Sequence, residues 1–358
     1  MAISPRQLLR TDLADISAYQ VVQAQGFIKL DAMENPYELP AALQERWLDT
    51  LEQAALNRYP DSKATALRQN FCKTFAIPSS LELILGNGSD ELIQILIMAV
   101  ARPDACILTV TPSFSMYGTI ADFMGVRVVK VPLAAESFTL QVDQVCEAIR
   151  EHNPALIFLA CPNNPTGTLW PQHDIEQIVQ QSSGLVIIDE AYSPFSSRTM
   201  MSLVERYSHV LMLRTFSKMG LAGLRLGCLM GADLWVKEFD KLRLPYNINV
   251  LTQLSANFAL DHISIFTEQA KQICIQRAWL IQAMQAISGI QVYPSEANFI
   301  LFRTLRASAD TVFNCLVKNK IMIKNVADNH LLENCLRVTV GTEKENQAFL
   351  DALKDSLA

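Results

Sequence analysis

The side chains in this chain that could do covalent and acid–base work fall in four short segments, each directly after an apolar run. RTFSKMGLAGLRLG (214–227) gathers Thr215, Ser217, Lys218 and Arg225 in one loop of small residues. A lysine in a loop is more often simply solvated, but small neighbours let a bulky planar molecule approach its amine, and an amine forms an imine with an aldehyde. Thr215, Ser217 and Arg225 could share a phosphate, arginine being suited to a multi-point oxyanion contact. LVIIDEAY (185–192) carries Asp189 at the end of an apolar run. A carboxylate there is costly unless it meets a cation, and Tyr192 could reach the same ligand. The plainer alternative is a buried aspartate capping a helix. CPNNPTGT (161–168) has two prolines that forbid continued strand pairing, and Gly167 tolerates an unusual backbone angle. A purely structural loop needs neither asparagine, whereas Asn164 could offer its amide to a ligand oxygen. GNGSDE (86–91) opens a helix, so the amides of Ser89 and Asp90 make an anion site, or else a glycine turn with a polar cap.

Together these segments supply an amine for an imine, a carboxylate for a pyridinium, a phenol and an amide for a phenolate, and a cradle for a phosphate. Pyridoxal 5'-phosphate (PLP) requires that set. On this reading Asp189 keeps the pyridine nitrogen protonated, so the ring accepts the electrons released when a substrate Cα loses its proton. Lys218 carries that proton, and Asn164 and Tyr192 hydrogen-bond the phenolic oxygen.

The elements that must hold these groups are legible as apolar runs. LELIL, ACILTV, RVVKVPL, ALIFLAC, LVIIDEAY, HVLMLRT and LRLGCLMG, between about 82 and 230, read as strands. Amphipathic stretches at Glu91–Ala101, Leu140–Glu151 and His173–Gln181 alternate with them as helices. That alternation predicts an α/β fold with a mainly parallel sheet flanked by helices. Ligands of such sheets lie beyond the carboxyl ends of the strands, where all four polar segments fall. After about Leu244 the pattern changes to helices at Val250–Asp261 and on through Gln285. IQVYP, ANFILFR, IMIKNV, CLRVTVG and a closing helix follow. The expected organisation is an N-terminal arm (1–40), a large domain (41–245) and a smaller α+β domain (246–358) that the arm joins.

Composition narrows the function classes. The chain has 358 residues, half of them hydrophobic and 18% charged, enough for two cored domains and unlike a disordered segment. A formal charge of −6 gives no basic footprint for nucleic acid. There is no apolar run of membrane-spanning length, and the first residues lack an apolar signal core, so a cytoplasmic protein without membrane partners is expected. The eight cysteines form no C-x-x-C pair and no metal-like spacing with the five histidines, which predicts a reduced, metal-free protein.

The ordered set LDAMENPY (30–37), NRYPD (57–61), GNGSDE, PSFSMY (112–117), NNPTG, DEAY, SKMGLAGLR and CLRVTVGT (335–342) resembles the fold-type I PLP-dependent aminotransferases. Within them it is similar to the histidinol-phosphate aminotransferases, from about Tyr19 to the C-terminal helix. The resemblance implies a homodimer with its active site at the subunit boundary, where Tyr59 contacts the cofactor phosphate of the neighbouring subunit. It implies that Phe114 lies on the pyridine ring, an arrangement that suits aromatic stacking. Arg337 would bind the carboxylate of glutamate in one half-reaction and the substrate phosphate in the other, with Lys324, Tyr19 and Asn35 as further substrate contacts. The implied reaction is ping-pong: glutamate leaves as 2-oxoglutarate, and imidazole acetol phosphate is converted to L-histidinol phosphate in histidine biosynthesis. Three departures stand out. Lys324, thirteen residues before Arg337, replaces a frequent arginine; the Lys218-to-Arg225 spacing is one residue shorter than in many members; and Met33 replaces a frequent asparagine. The rival readings are an aromatic aminotransferase, a threonine-phosphate decarboxylase on the same frame, and a non-catalytic PLP-binding protein.

Overall fold

The computed structural model describes residues 4–11, 25–327 and 329–357. Its strands, in chain order, begin with β1 (Ile28–Lys29), β2 (Leu81–Asn87), β3 (Cys106–Thr111) and β4 (Arg127–Pro132). They continue with β5 (Leu156–Ala160), β6 (Leu185–Asp189), β7 (Val210–Thr215) and β8 (Leu226–Ala232). All seven apolar runs singled out in the sequence become strands of one sheet, ordered β2-β8-β7-β6-β5-β3-β4. Only β8 runs antiparallel to its neighbours; the remaining pairs are parallel.

These strands read as unbroken apolar runs because both faces of the sheet are covered. Successive side chains point to opposite faces, which sorts them between two cores. Ile157, Leu159, Val186, Ile188 and Met212 pack with Trp170 and Ile175 on one side. Phe158, Ile187, Leu211 and Leu213 pack with Leu92, Ile93 and Tyr117 on the other. The covering helices show the matching period. Ile175, Ile178 and Val179 are the buried residues of the helix Gln172–Gln181, an i, i+3, i+4 stripe. The expected helix limits shift by one or two residues, to Ser89–Val100, Val142–His152 and Gln172–Gln181.

The C-terminal part builds a second, four-stranded antiparallel sheet from β9 (Ile290–Val292), β10 (Phe299–Thr304), β12 (Lys324–Asn325) and β13 (Cys335–Thr339), ordered β12-β13-β10-β9. Between these falls β11 (Ile321–Met322), which pairs in parallel with β1, Ile28 facing Ile321. Leu30 sits in the same core as Phe299, Phe302 and Phe349, so the segment after residue 25 is tied to this unit by a ladder and by burial. The apolar core of the first unit reaches past the change of pattern seen near Leu244. Ile248, Ala256 and Leu260 pack with Leu67 and Phe71, because the helix Val250–Asp261 lies against the helix Thr65–Thr74 rather than against the second sheet.

Candidate active site

Parallel strands all end on one edge of the sheet, and that edge collects the polar segments. Asp189 is the last residue of β6, Thr215 the last of β7 and Asn87 the last of β2. Because β8 is antiparallel, the link from β7 to β8 never crosses the sheet and stays at this edge, carrying Ser217, Lys218 and Arg225. Two short 3₁₀ turns, Ser217–Met219 and Ala222–Leu224, shape the link, and it ends on Arg225 at φ +48°.

The result is a cavity of about 410 Å³ lined by Ser89, Asp90, Phe114, Asn164, Asp189, Tyr192, Thr215, Ser217, Lys218 and Arg225. Every residue expected from the sequence to hold the cofactor lines it, with the exception of Tyr59. The volume falls within the range of small-molecule sites.

Asp189 is almost completely buried, and the strand's alternation turns its carboxylate toward the core containing Tyr117. The Tyr117 hydroxyl donates to Asp189 Oδ2 at 2.7 Å, and the Ala191 amide donates to Oδ1 at 3.0 Å. Burial pushes the carboxyl up to about 6, against the opposing pull of those two donors. A cation on the cavity side would complete the compensation. Lys218 shows the mirror image. Burial, helped by the nearby Arg337 guanidinium, lowers its ammonium to about 8, so about a tenth is the free amine at pH 7. Its Nζ donates to the Ala32 carbonyl at 3.2 Å and lies 5.9 Å from the centre of the Tyr192 ring. Burial also raises the Tyr192 phenol well above its ordinary value, with Arg337 pulling the other way.

The end expected to face a phosphate is built by close backbone approach. Gly88 has φ +84°, and a Cβ there would sit 2.6 Å from Arg225 Nη2. At Gly227 a Cβ would sit 2.6 Å from the Ser89 amide nitrogen, so glycine lets the start of β8 lie against the N-terminus of the helix Ser89–Val100. Arg225 donates to Asp90 Oδ2 at 3.1 Å with its side chain half exposed, and the Thr215 hydroxyl meets that of Ser217 at 3.0 Å. Amides at a helix N-terminus, two hydroxyls and a guanidinium make an anion cradle. With an amine, a carboxylate and an aromatic ring on the same walls, the residues present fit PLP.

Arg337 bridges the two sheets. It leaves β13 buried, donates to Asn164 Oδ1 at 2.6 Å and to the Asp31 carbonyl at 2.8 Å, and its guanidinium lies 5.3 Å from the Phe299 ring centre. Asn164 thus orients its side chain with the oxygen committed and the NH2 turned elsewhere. Arg337 and Lys324 line a second cavity of about 440 Å³, which shares Met33, Phe114 and Asn164 with the first.

An amine, a carboxylate and an arginine in the lining of one cavity make a set that could form an imine with a bound aldehyde and hold it. Residues 25–353 match the model of a family described as aminotransferase class I and II. The chain belongs to that family. This aminotransferase is 50% identical over 349 residues to a histidinol-phosphate aminotransferase 2 from Nitrosococcus oceani, covering 97% of each chain. It is 46% identical to a histidinol-phosphate aminotransferase 2 from Burkholderia pseudomallei, covering 99% of each. Its fold matches that of the histidinol-phosphate aminotransferase from Sinorhizobium meliloti, a structure in complex with pyridoxal-5'-phosphate. That match has a TM-score of 0.85 at 21% identity, over 98% of this chain and 97% of the other.

Two of the residues expected to contact cofactor or substrate, one of them across the subunit boundary, line neither cavity. Asn35 lines neither cavity: its amide donates to the Met219 carbonyl and to Gln269 Oε1, so it pins the lysine loop to the helix Ile263–Gln285. Tyr59 is 81% exposed and stacks on Tyr246 with ring centres 4.4 Å apart, outside both cavities. Tyr19 lies outside the described residues. Conversely, Tyr117 escaped the reading of the sequence. It lies three residues after Phe114, whose ring it meets edge-on at 5.4 Å, and the i, i+3 spacing within PSFSMY was the available signal. Among the described residues no cluster could hold a metal ion, all eight cysteines are free, and no helix is long and apolar enough to cross a membrane.

Proposed function

We propose that this aminotransferase binds PLP and transfers an amino group between glutamate and imidazole acetol phosphate, forming 2-oxoglutarate and L-histidinol phosphate. The chemistry rests on one observation, that Lys218 and Asp189 line the same cavity. The substrate rests on relatives with that name at 45–50% identity over nearly the whole chain.

PLP, when bound, supplies an electron sink for the pair left as a bond to the substrate Cα breaks. Asp189, whose carboxylate is costly to bury alone, holds a proton on the ring nitrogen by charge pairing. The Ser89 amide, Thr215, Ser217 and Arg225 would hold the phosphate, and Phe114 would lie against the ring. Asn164 and Tyr192 donate to the ring oxygen. Lys218 Nζ, poised near 8, takes the proton from the substrate Cα and gives it up again, a range that suits a general base at neutral pH. Arg337 takes the carboxylate of glutamate, its fork already oriented by Asn164 and the Asp31 carbonyl.

The same reading makes the protein a cytoplasmic homodimer of two-domain subunits, with Tyr59 reaching the partner subunit's cofactor phosphate. The exposed, stacked Tyr59–Tyr246 pair supports it, since exposed aromatic surface is characteristic of interfaces. The deciding experiment is a substrate panel on the purified holoprotein with 2-oxoglutarate, comparing histidinol phosphate, phenylalanine and threonine phosphate. Histidinol phosphate should give the highest kcat/KM. Faster turnover of phenylalanine, or CO2 released from threonine phosphate, would overturn the assignment. Lys218→Ala should lose the visible absorbance of the lysine-bound cofactor and lower turnover by at least about 10²–10⁴-fold.

A further inference from the structure

The second cavity carries more positive charge than the binding of one carboxylate needs. Lys130, Lys324 and Arg337 line it, against a single acidic side chain, Asp122. Lys324 on β12 and Arg337 on β13 are directly opposed in an antiparallel pair. Like charges so placed repel, and such a pairing persists most readily where an anion lies between them. Lys130 comes from the other sheet. It sits on the edge strand β4 in register with Thr109, another lining residue, and its stem runs over Gly118, where a Cβ would lie 3.9 Å from Lys130 Cε. A lone lysine on an edge strand guards against mispairing and needs no ligand. Here two exposed lysines line one open cavity, and neither has a hydrogen bond or ion pair among the described residues.

We propose that Lys130, together with Lys324, forms a phosphate seat at the outer end of the substrate cavity, occupied by the phosphorylated amino substrate and left empty by glutamate. Glutamate, with its carboxylates close to the amine, is held at Arg337. The phosphorylated partner extends past Arg337, and its dianion lies among the three cations. Two flexible ammonium groups would also replace the bidentate fork that an arginine at position 324 would offer, a point charge from each sheet in place of one planar grip. Lys130 would then be a residue that discriminates between the two substrates of one pocket.

This inference rests on the reading of the substrate given above, so its test separates the two. On the holoprotein, Lys130→Gln should raise KM for histidinol phosphate by about three- to tenfold, the range for one partly exposed charged contact. KM for glutamate should stay as in the wild type, and Lys130→Arg should restore most of the loss. Competitive inhibition by inorganic phosphate against histidinol phosphate should weaken by a similar factor. An equal rise in KM for both substrates, or no change in either KM or phosphate inhibition, would overturn the seat. If the wild type failed to turn over histidinol phosphate, the substrate reading would fall. Phosphate inhibition of the glutamate half-reaction, weakened or unchanged in Lys130→Gln, would then decide the seat alone.

Discussion

Tyr117→Phe removes one hydroxyl and leaves the rest of its surroundings in place. The ring stacks on Phe158 with centres 4.7 Å apart and meets Phe114 edge-on, contacts that phenylalanine keeps. What is lost is the 2.7 Å donor to Asp189 Oδ2, leaving that carboxylate only the Ala191 amide. A hydrogen bond to a charged group is worth about 1.5–3 kcal/mol. At roughly 1.4 kcal/mol per pKa unit, that is a rise of about one to two units. Asp189, already pushed up to about 6 by burial, would then be substantially protonated at neutral pH. A protonated Asp189 cannot pair with a cationic ring nitrogen, so the acid limb of PLP binding should move upward by about one to two pH units. The assay is titration of cofactor-free protein with PLP from pH 5 to 9, following the visible absorbance, with a thermal melt to show that the variant is folded. At pH 7 affinity should fall about two- to tenfold, the drop in the ionised fraction that a rise of one to two units causes. A folded variant whose acid limb coincides with that of the wild type would refute the coupling of Tyr117 to Asp189.

Further outcomes follow from the same geometry. Asp189 holds its proton more tightly folded than unfolded, so its contribution to stability is favourable at low pH and is lost as pH rises from about 4 through about 6. The loss is roughly 3 kcal/mol for a two-unit shift. Cofactor-free Asp189→Asn should therefore be more stable than the cofactor-free wild type in urea at pH 8, while binding PLP poorly; lower stability at that pH would refute the burial cost. Behind Thr215, Glu190 is buried and accepts from Arg214 at 2.8 Å, from Thr199 and from the Met200 amide. Arg214→Ala should cost about 3 kcal/mol by urea denaturation, because it strands a buried carboxylate. A cost below about 1 kcal/mol would rank the pair with surface salt bridges. Since burial lowers Lys218 to about 8, the rate at which cofactor-free protein captures PLP should climb as pH rises through that value and then level off. A rate still climbing steeply at pH 10 would indicate an unperturbed lysine.

The seven strands of the main sheet were legible because burial on both faces demands unbroken apolar runs, a constraint written locally into each segment. The candidate site residues were legible for a related reason. Lys218, Asp189, Asn164 and Arg225 are costly or unusual at the ends of apolar strands, so their presence there called for a ligand. Their convergence was not local information. It arises because parallel strands end at one edge and β8 returns beside β7, a topology set by packing between segments far apart in the chain. The carboxylate's partner shows the same limit. Tyr117 meets Asp189 across 72 positions, in a packing that brings the first turn of the helix Met116–Met124 to the end of β6. Tertiary structure alone also withdrew Asn35 from the pocket to the helix Ile263–Gln285 and brought Lys130 into the same cavity lining as Lys324. Residue type and spacing therefore determined which chemistry this chain could perform, because desolvation penalties act on each residue where it stands. Which groups touch, and how far their proton affinities move, was decided by packing, because Coulomb and hydrogen-bond terms depend on distances that no single segment contains.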